Sequence, residues 1–184
     1  MSRHEPEMTA YLESKLSPHI VFLDVGAWTG YYTLLAAGRV RSVVAFEPQA
    51  EARAKLWENV HCAGHTNVTV LESPLFSKTV RGKMGRKNKF YPHADGELEA
   101  VTLDSLELAP DVIKIDVEGA EMDILIGAEQ TLRKYKPILG IEIHEHKIGS
   151  FGYRWKQIPQ FLQDLGYTII PLGRRNKCRF IGAE

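Results

Sequence analysis

"VFLDVGAWTG", residues 21–30, runs from apolar residues into an acid and then into two glycines spaced Gly26-x-x-x-Gly30. A short apolar run bounded by turn residues is the pattern of a strand buried on both faces. Where such a strand ends in glycine and a helix follows, ligands gather at the strand's carboxyl end, beside the helix N-terminus. The neighbouring elements and the glycine spacing therefore decide both the fold and the class of ligand.

Upstream and downstream, residues 19–23, 42–46 and 67–71 are rich in β-branched residues and read as buried strands. Between them, residues 31–38 and 50–62 show helical spacing, the second through Ala52, Leu56 and Val60. The order β-α-β-α-β implies a parallel sheet. It resumes with a strand over 112–115, a helix through Met122, Leu125, Ile126 and Leu132, a strand over 138–143 and a helix around 155–165. The last two strands, 168–171 and 179–181, are joined by residues 172–177, too short a link for a parallel crossover, so they should pair antiparallel.

Met8, Tyr11, Leu12 and Leu16 predict a short amphipathic helix over 7–16, closed by Pro18, so segment 1–17 is expected to cover the sheet. Residues 73–96 show no clear period. They carry Lys78, Arg81, Lys83, Arg86, Lys87 and Lys89 with no acid among them, followed by Phe90, Tyr91 and His93, and are expected to form a variable basic loop or lid.

With 184 residues the chain is expected to form one domain, 1–184. Lys+Arg and Asp+Glu number 23 each, so any preference for a polyanion must be local, in loop 78–89 or in the cluster Arg174, Arg175, Lys177 and Arg179. Cys62 and Cys178 form no CxxC pair, which argues against a zinc motif and for reduced thiols. The first ten residues lack a signal-peptide pattern, and no apolar run reaches the roughly 20 residues of a membrane helix. A cytoplasmic location and no membrane partner are expected.

A nucleoside-triphosphate loop requires GxxxxGK[ST], but Gly30 is followed by Tyr31 and Tyr32. A dinucleotide turn requires GxGxxG, and the middle glycine is missing here. What remains is S-adenosylmethionine, whose amino-acid end Asp24 could face directly or through water, or a binding module that keeps the turn for structure alone. Glu47, ending its strand before Pro48, is placed to accept ribose hydroxyls.

The second half adds carboxylates. In "DVIKIDVEGAEMDILIGA", residues 111–128, Asp116 ends a buried strand and Glu118 and Glu121 open the next helix, where the helix dipole favours acids. In "IEIHEH", residues 141–146, strand alternation puts Glu142, His144 and His146 on one side.

Together "FLDVGAWTGYYTLLAA", "VVAFEP", "VTLDSL", "IKIDVEGAEMDILIGA" and "IEIHEH" resemble the FkbM family of S-adenosylmethionine-dependent methyltransferases, over about residues 21–146. The resemblance implies an α/β, Rossmann-like class I methyltransferase fold. Its sheet would be mostly parallel and seven-stranded, with one antiparallel C-terminal strand and helices on both faces. It also implies methyl transfer to a hydroxyl of a saccharide or small metabolite. The expected cofactor contacts are Asp24, Gly26, Ala27, Trp28, Gly30, Glu47, Pro48, Glu72, Ser73 and Asp116. Two departures stand out: Trp28 occupies a position where the family commonly has Asn, and 74–78 reads Pro-Leu-Phe-Ser-Lys after the third strand.

A neutral hydroxyl must lose its proton as it is methylated, and Asp116, His144 and Glu118 are the expected catalytic residues, with no metal. Two other readings stay open. One is an RNA methyltransferase using loop 78–89 with Arg174 and Arg175. The other is a non-catalytic cofactor-binding or scaffold protein on the same fold.

Overall fold

The computed structural model describes residues 4–85 and 89–184. Strands β1 (Val21–Val25), β2 (Ser42–Phe46) and β3 (Val68–Leu71) are parallel neighbours, connected by helices α2 (Tyr31–Ala37) and α3 (Ala50–Cys62). The apolar runs seen in the sequence thus become the strands, shifted by two residues at β1 and trimmed by one at β3.

Seven strands form one sheet in the spatial order β3-β2-β1-β7-β8-β10-β9, with β7 at Val112–Ile115, β8 at Ile138–His144, β9 at Ile169–Arg175 and β10 at Cys178–Ala183. Only β10 is reversed, lying antiparallel to both β8 and β9. The expected mostly parallel sheet with one antiparallel C-terminal strand is the one observed. The link anticipated over 172–177 is shorter than expected: β9 runs on to Arg175, and Asn176 and Lys177 alone make the turn, with φ of 49° and 66°. Two consecutive left-handed residues are what a tight hairpin between twisted strands requires.

Side chains alternate between two apolar layers. Leu23, Val25, Ile113, Ile115, Leu139 and Ile141 pack on one face against Leu125, Leu132, Ile158 and Leu162. Those four come from α4 (Glu121–Ile126), α5 (Glu129–Tyr135) and α6 (Gln157–Asp164). Phe22, Val43, Val112 and Phe180 pack on the other face, under α2 and under Met8 and Leu12 of α1 (Pro6–Glu13). Gly140 and Gly182, opposite each other in register, make room for α1. A Cβ at Gly182 would stand 2.4 Å from the Tyr11 ring, and one at Gly140 would stand 2.8 Å from Leu12.

Two differences go beyond the bounds of elements. The helix expected to run unbroken through Leu132 divides into α4 and α5 at Gly127, where a Cβ would come within 2.1 Å of the Phe76 carbonyl. The region read as a loop, 73–96, supplies two strands of a second, antiparallel sheet, in which β4 (Val80–Met84) lies between β5 (Phe90–Pro92) and β6 (Leu98–Ala100), the last just beyond that region. Its alternation puts Val80, Gly82 and Met84 on the less exposed side and Arg81 and Lys83 outward. Phe76, Phe90 and Ala100 anchor it against Ala120. Arg86 and Lys87 of the basic stretch lie outside the described residues.

Candidate functional site

The chain leaves β1 towards β2 on one side and returns to β7 on the other, so a crevice opens at the carboxyl ends of β1 and β7. Gly26 sits in it at φ +78°, and a Cβ there would lie 1.9 Å from the Asp116 carbonyl oxygen. Only glycine lets the two strand ends meet. The N–H groups of Gly26 and Ala27 donate to the Phe46 carbonyl at 3.0 and 3.1 Å, which ties the turn to β2.

A cavity of about 550 Å³ fills this crevice. Of the residues expected to contact a cofactor, Gly26, Ala27, Trp28, Glu47, Pro48 and Asp116 line it. Asp24 does not. Its carboxylate is fully buried beneath the turn, accepting a hydrogen bond from Thr33 Oγ1 at 2.7 Å and standing 3.3 Å from Lys114 Nζ. Gly30 caps α2 and packs on Leu56. Glu72 pairs with Arg53 on the surface and Ser73 lies beside it, while Pro74 and Leu75 line the cavity in their place.

Glu47 Oε2 accepts the Trp28 backbone N–H at 2.7 Å, and Oε1 accepts that of Gln49 at 2.8 Å. Burial raises its pKa, against the lowering effect of those two donors and of Lys114. Trp28 therefore contributes its backbone to the turn, at φ 52°, while its side chain stays half exposed.

The opposite end of the cavity gathers acids around one histidine. His144 is buried, and its Nδ1 lies 2.8 Å from Glu121 Oε1, which also accepts the Gly119 N–H at 2.9 Å. Nε2 faces Glu118 Oε2 at 3.7 Å and Asp116 Oδ1 and Glu142 Oε1 at 3.8 Å each. Glu118, at φ 61°, is paired with Lys147. Burial would lower the His144 pKa, but the hydrogen bond to Glu121 and the charges of Glu121, Asp116 and Glu142 raise it overall. Glu142 is pushed up to about 8 by burial and then by the charges of Asp116 and Glu5. The expected catalytic set Asp116, Glu118 and His144 is thus brought together.

Two participants, Lys114 and Glu5, are not among the residues the sequence singles out. Lys114 is buried in mid-strand, donates to the Gly26 carbonyl at 3.0 Å and lies 3.6 Å from Asp116 Oδ2. Burial disfavours its charge, but Asp24, Asp116 and Glu5 raise its pKa overall, so it bridges the acids of β1 and β7 as a cation. A lone lysine in the apolar run "VIKI" is the signal that could have found it. Glu121 stands out in the sequence as an acid opening a helix, and the structure adds its partner, His144 Nδ1. Glu5 lines the cavity just ahead of α1 and accepts from Tyr32 Oη at 2.9 Å.

A model of the FkbM methyltransferase domain matches residues 24–169. The chain belongs to the FkbM methyltransferase family. An FkbM methyltransferase from Methylobacillus flagellatus superposes with a TM-score of 0.71 at 19% identity, over 91% of this chain and 44% of that one. This FkbM chain thus spans under half the length of that relative. An rRNA methylase from Streptococcus thermophilus gives 0.65 at 16% identity, over 100% of this chain and 96% of that one. A protein of Streptococcus mutans solved in complex with SAH gives 0.63 at 15% identity, over 100% and 99%. At these identities the likenesses establish the fold. No curated protein matches the chain, and no helix among the described residues is long and apolar enough to cross a membrane.

Proposed function

We propose that this FkbM domain transfers a methyl group from S-adenosylmethionine to a hydroxyl of a saccharide or small metabolite. The observation that carries this is a single cavity with a ribose-type acid, Glu47, at one end and the Asp116–Glu142–His144 cluster at the other. The residues suit the cofactor. Ala27, Phe46 and Leu75 offer apolar wall, and Glu47 keeps acceptor capacity on both oxygens beyond its two backbone donors. The cofactor would supply an electrophilic methyl on a good leaving group, which leaves the protein two tasks, alignment and proton removal.

Asp116 and His144 are placed for the second task. Glu121 fixes the imidazole through Nδ1, leaving Nε2 towards the acids. Lys114 holds Asp116 from the far side. Glu118, tied to Lys147, shapes the rim.

Part of the basic surface is already balanced by acids within the fold. Arg81 stands opposite Glu99 in the small sheet, and both Arg174 and Arg179 close on Glu145, at 2.6 and 2.9 Å.

Calorimetry with S-adenosylmethionine should show binding, and a labelled-methyl assay should show transfer to members of a saccharide and hydroxy-metabolite panel but not to RNA. Asp116→Asn should lower turnover by about 10²–10⁴-fold with cofactor affinity kept within a few fold. Wild-type turnover in that variant removes Asp116 from the role, and no heat with the cofactor removes the proposal.

A further inference from the structure

We infer that a second cavity beside the first is an acceptor subsite, and that it selects acceptors carrying a carboxylate or phosphate group, held by Arg175. The inference rests on the function proposed above and deepens it by naming the acceptor class.

The order of the sheet sets the direction. The glycine turn and Glu47 stand at the ends of β1 and β2, and the acids around His144 at the ends of β7 and β8. Beyond them come β10 and β9, antiparallel to each other, so the end of β9 and the start of β10 lie at the same end of the sheet as those acids. Cys178 is in register with His144, and Phe180 with Glu142. There a cavity of about 240 Å³ is lined by Arg175, Asn176, Cys178 and Phe180, and it shares His4, Glu5 and Glu142 with the larger cavity. With the cofactor over β1 and β2 and its methyl delivered at the acids, the rest of an acceptor extends into this second cavity.

The two ends of that path offer different groups. At the inner end stand carboxyl groups, which accept the hydrogen bond of a hydroxyl. At the outer end, the turn between β9 and β10 offers the guanidinium of Arg175 and the carboxamide of Asn176, whose N–H groups are donors. Arg174 and Arg179 are closed on Glu145, whereas the Arg175 guanidinium has no hydrogen-bond or ion-pair partner among the described residues. A planar guanidinium takes a carboxylate or phosphate through two parallel hydrogen bonds. The nearest acids do not cancel it. Glu5 is engaged on both oxygens, Oε1 by His4 Nε2 at 3.1 Å and Oε2 by Tyr32 Oη at 2.9 Å. Glu142, its pKa pushed up to about 8 by burial, is mostly neutral at neutral pH. A ligand matched to this path presents a hydroxyl at one end and an anion at the other.

The test compares acceptors that differ in charge alone: D-glucuronate and D-galacturonate against D-glucose and D-galactose, and glycerol phosphate against glycerol. In the labelled-methyl assay the charged member of a pair should have a kcat/KM at least about tenfold higher, the scale of one charge-assisted hydrogen bond. Which pair shows the larger ratio separates carboxylate from phosphate. Arg175→Gln should bring the ratio down towards one, with calorimetric cofactor affinity and the melting curve retained. Independently of turnover, the Arg175 Nε–H resonance of the SAH-bound protein should move on titration with D-glucuronate or glycerol phosphate and not with D-glucose, while those of Arg174 and Arg179 stay. A ratio near one in the wild type, an undiminished ratio in Arg175→Gln, or transfer to RNA alone each overturns the subsite and leaves methyl transfer standing. An unmoved Arg175 resonance in a protein that methylates none of the panel also overturns it. A resonance that answers both anions in a protein that binds no cofactor would retain the anion site and remove the methyltransferase reading.

Discussion

At the scale of single residues, the site is built by groups that hold other groups. Glu121 is fully buried, and one of its oxygens serves both the Gly119 N–H and His144 Nδ1. Its charge sets the imidazole's tautomer and aim, so it acts as a positioning residue. Glu121→Gln should lower turnover by up to about 10⁴-fold, the scale of the loss when a working histidine is left in the wrong tautomer, with cofactor affinity unchanged. The ¹⁵N chemical shifts of His144 should move towards the other tautomer in that variant. Unchanged shifts together with wild-type turnover would leave Glu121 a purely structural acid. Glu47, Asp116 and His144 were legible in the sequence because each ends an apolar run, where strand ends meet ligands. Lys114 and Glu5 were not, because their meaning depends on partners far along the chain: Lys114 reaches Gly26 only once β1 and β7 pair, and Glu5 reaches Tyr32 only once α1 docks.

At the scale of elements, periodicity exposed the large sheet because its inner strands are apolar on both faces and punctuated by glycine and proline. The small sheet hid behind its charges. In "VRGKM" the inward positions are Val, Gly and Met, so alternation survives but reads as a basic loop when only Arg81 and Lys83 are counted. The break between α4 and α5 hid for a different reason, since Gly127 is needed for the approach of Phe76 from elsewhere in the chain. The docking of α1 is likewise a matter of two glycines in register. Gly182→Val would drive a branched side chain into the Tyr11 ring, 2.4 Å from a Cβ at that position. Overpacking of this kind costs about 1–3 kcal/mol. Chemical denaturation should show that loss, and hydrogen exchange should show it concentrated in α1. A uniform loss of protection across the sheet would mean that α1 is not the element displaced.

At the scale of the whole molecule, a chain with equal numbers of acids and bases buries Asp24, Glu47, Glu121, Asp123 and Glu142 against a single buried lysine or arginine among the described residues, Lys114. Glu47, Asp123 and Glu142 all have raised pKa values with burial as the leading cause, and His144 is raised by its acidic partners against the effect of burial. For each group the folded state keeps a proton that the unfolded chain releases at lower pH. By linkage, the stability each contributes is complete below its unfolded pKa and is lost as pH rises through the folded one. For Glu142 that window runs from 4.5 to about 8. All four act in the same direction, so the melting temperature of cofactor-free protein should fall by at least a few degrees between about pH 5 and about pH 9. Asp123→Asn removes a contributor held outside the cluster, by Ser77 at 2.7 Å and Tyr153, and should flatten part of that slope. Scanning calorimetry across this range decides the matter: a melting temperature that rises with pH would mean that these acids are ionised in the folded chain, with the repulsion between them relieved by other means.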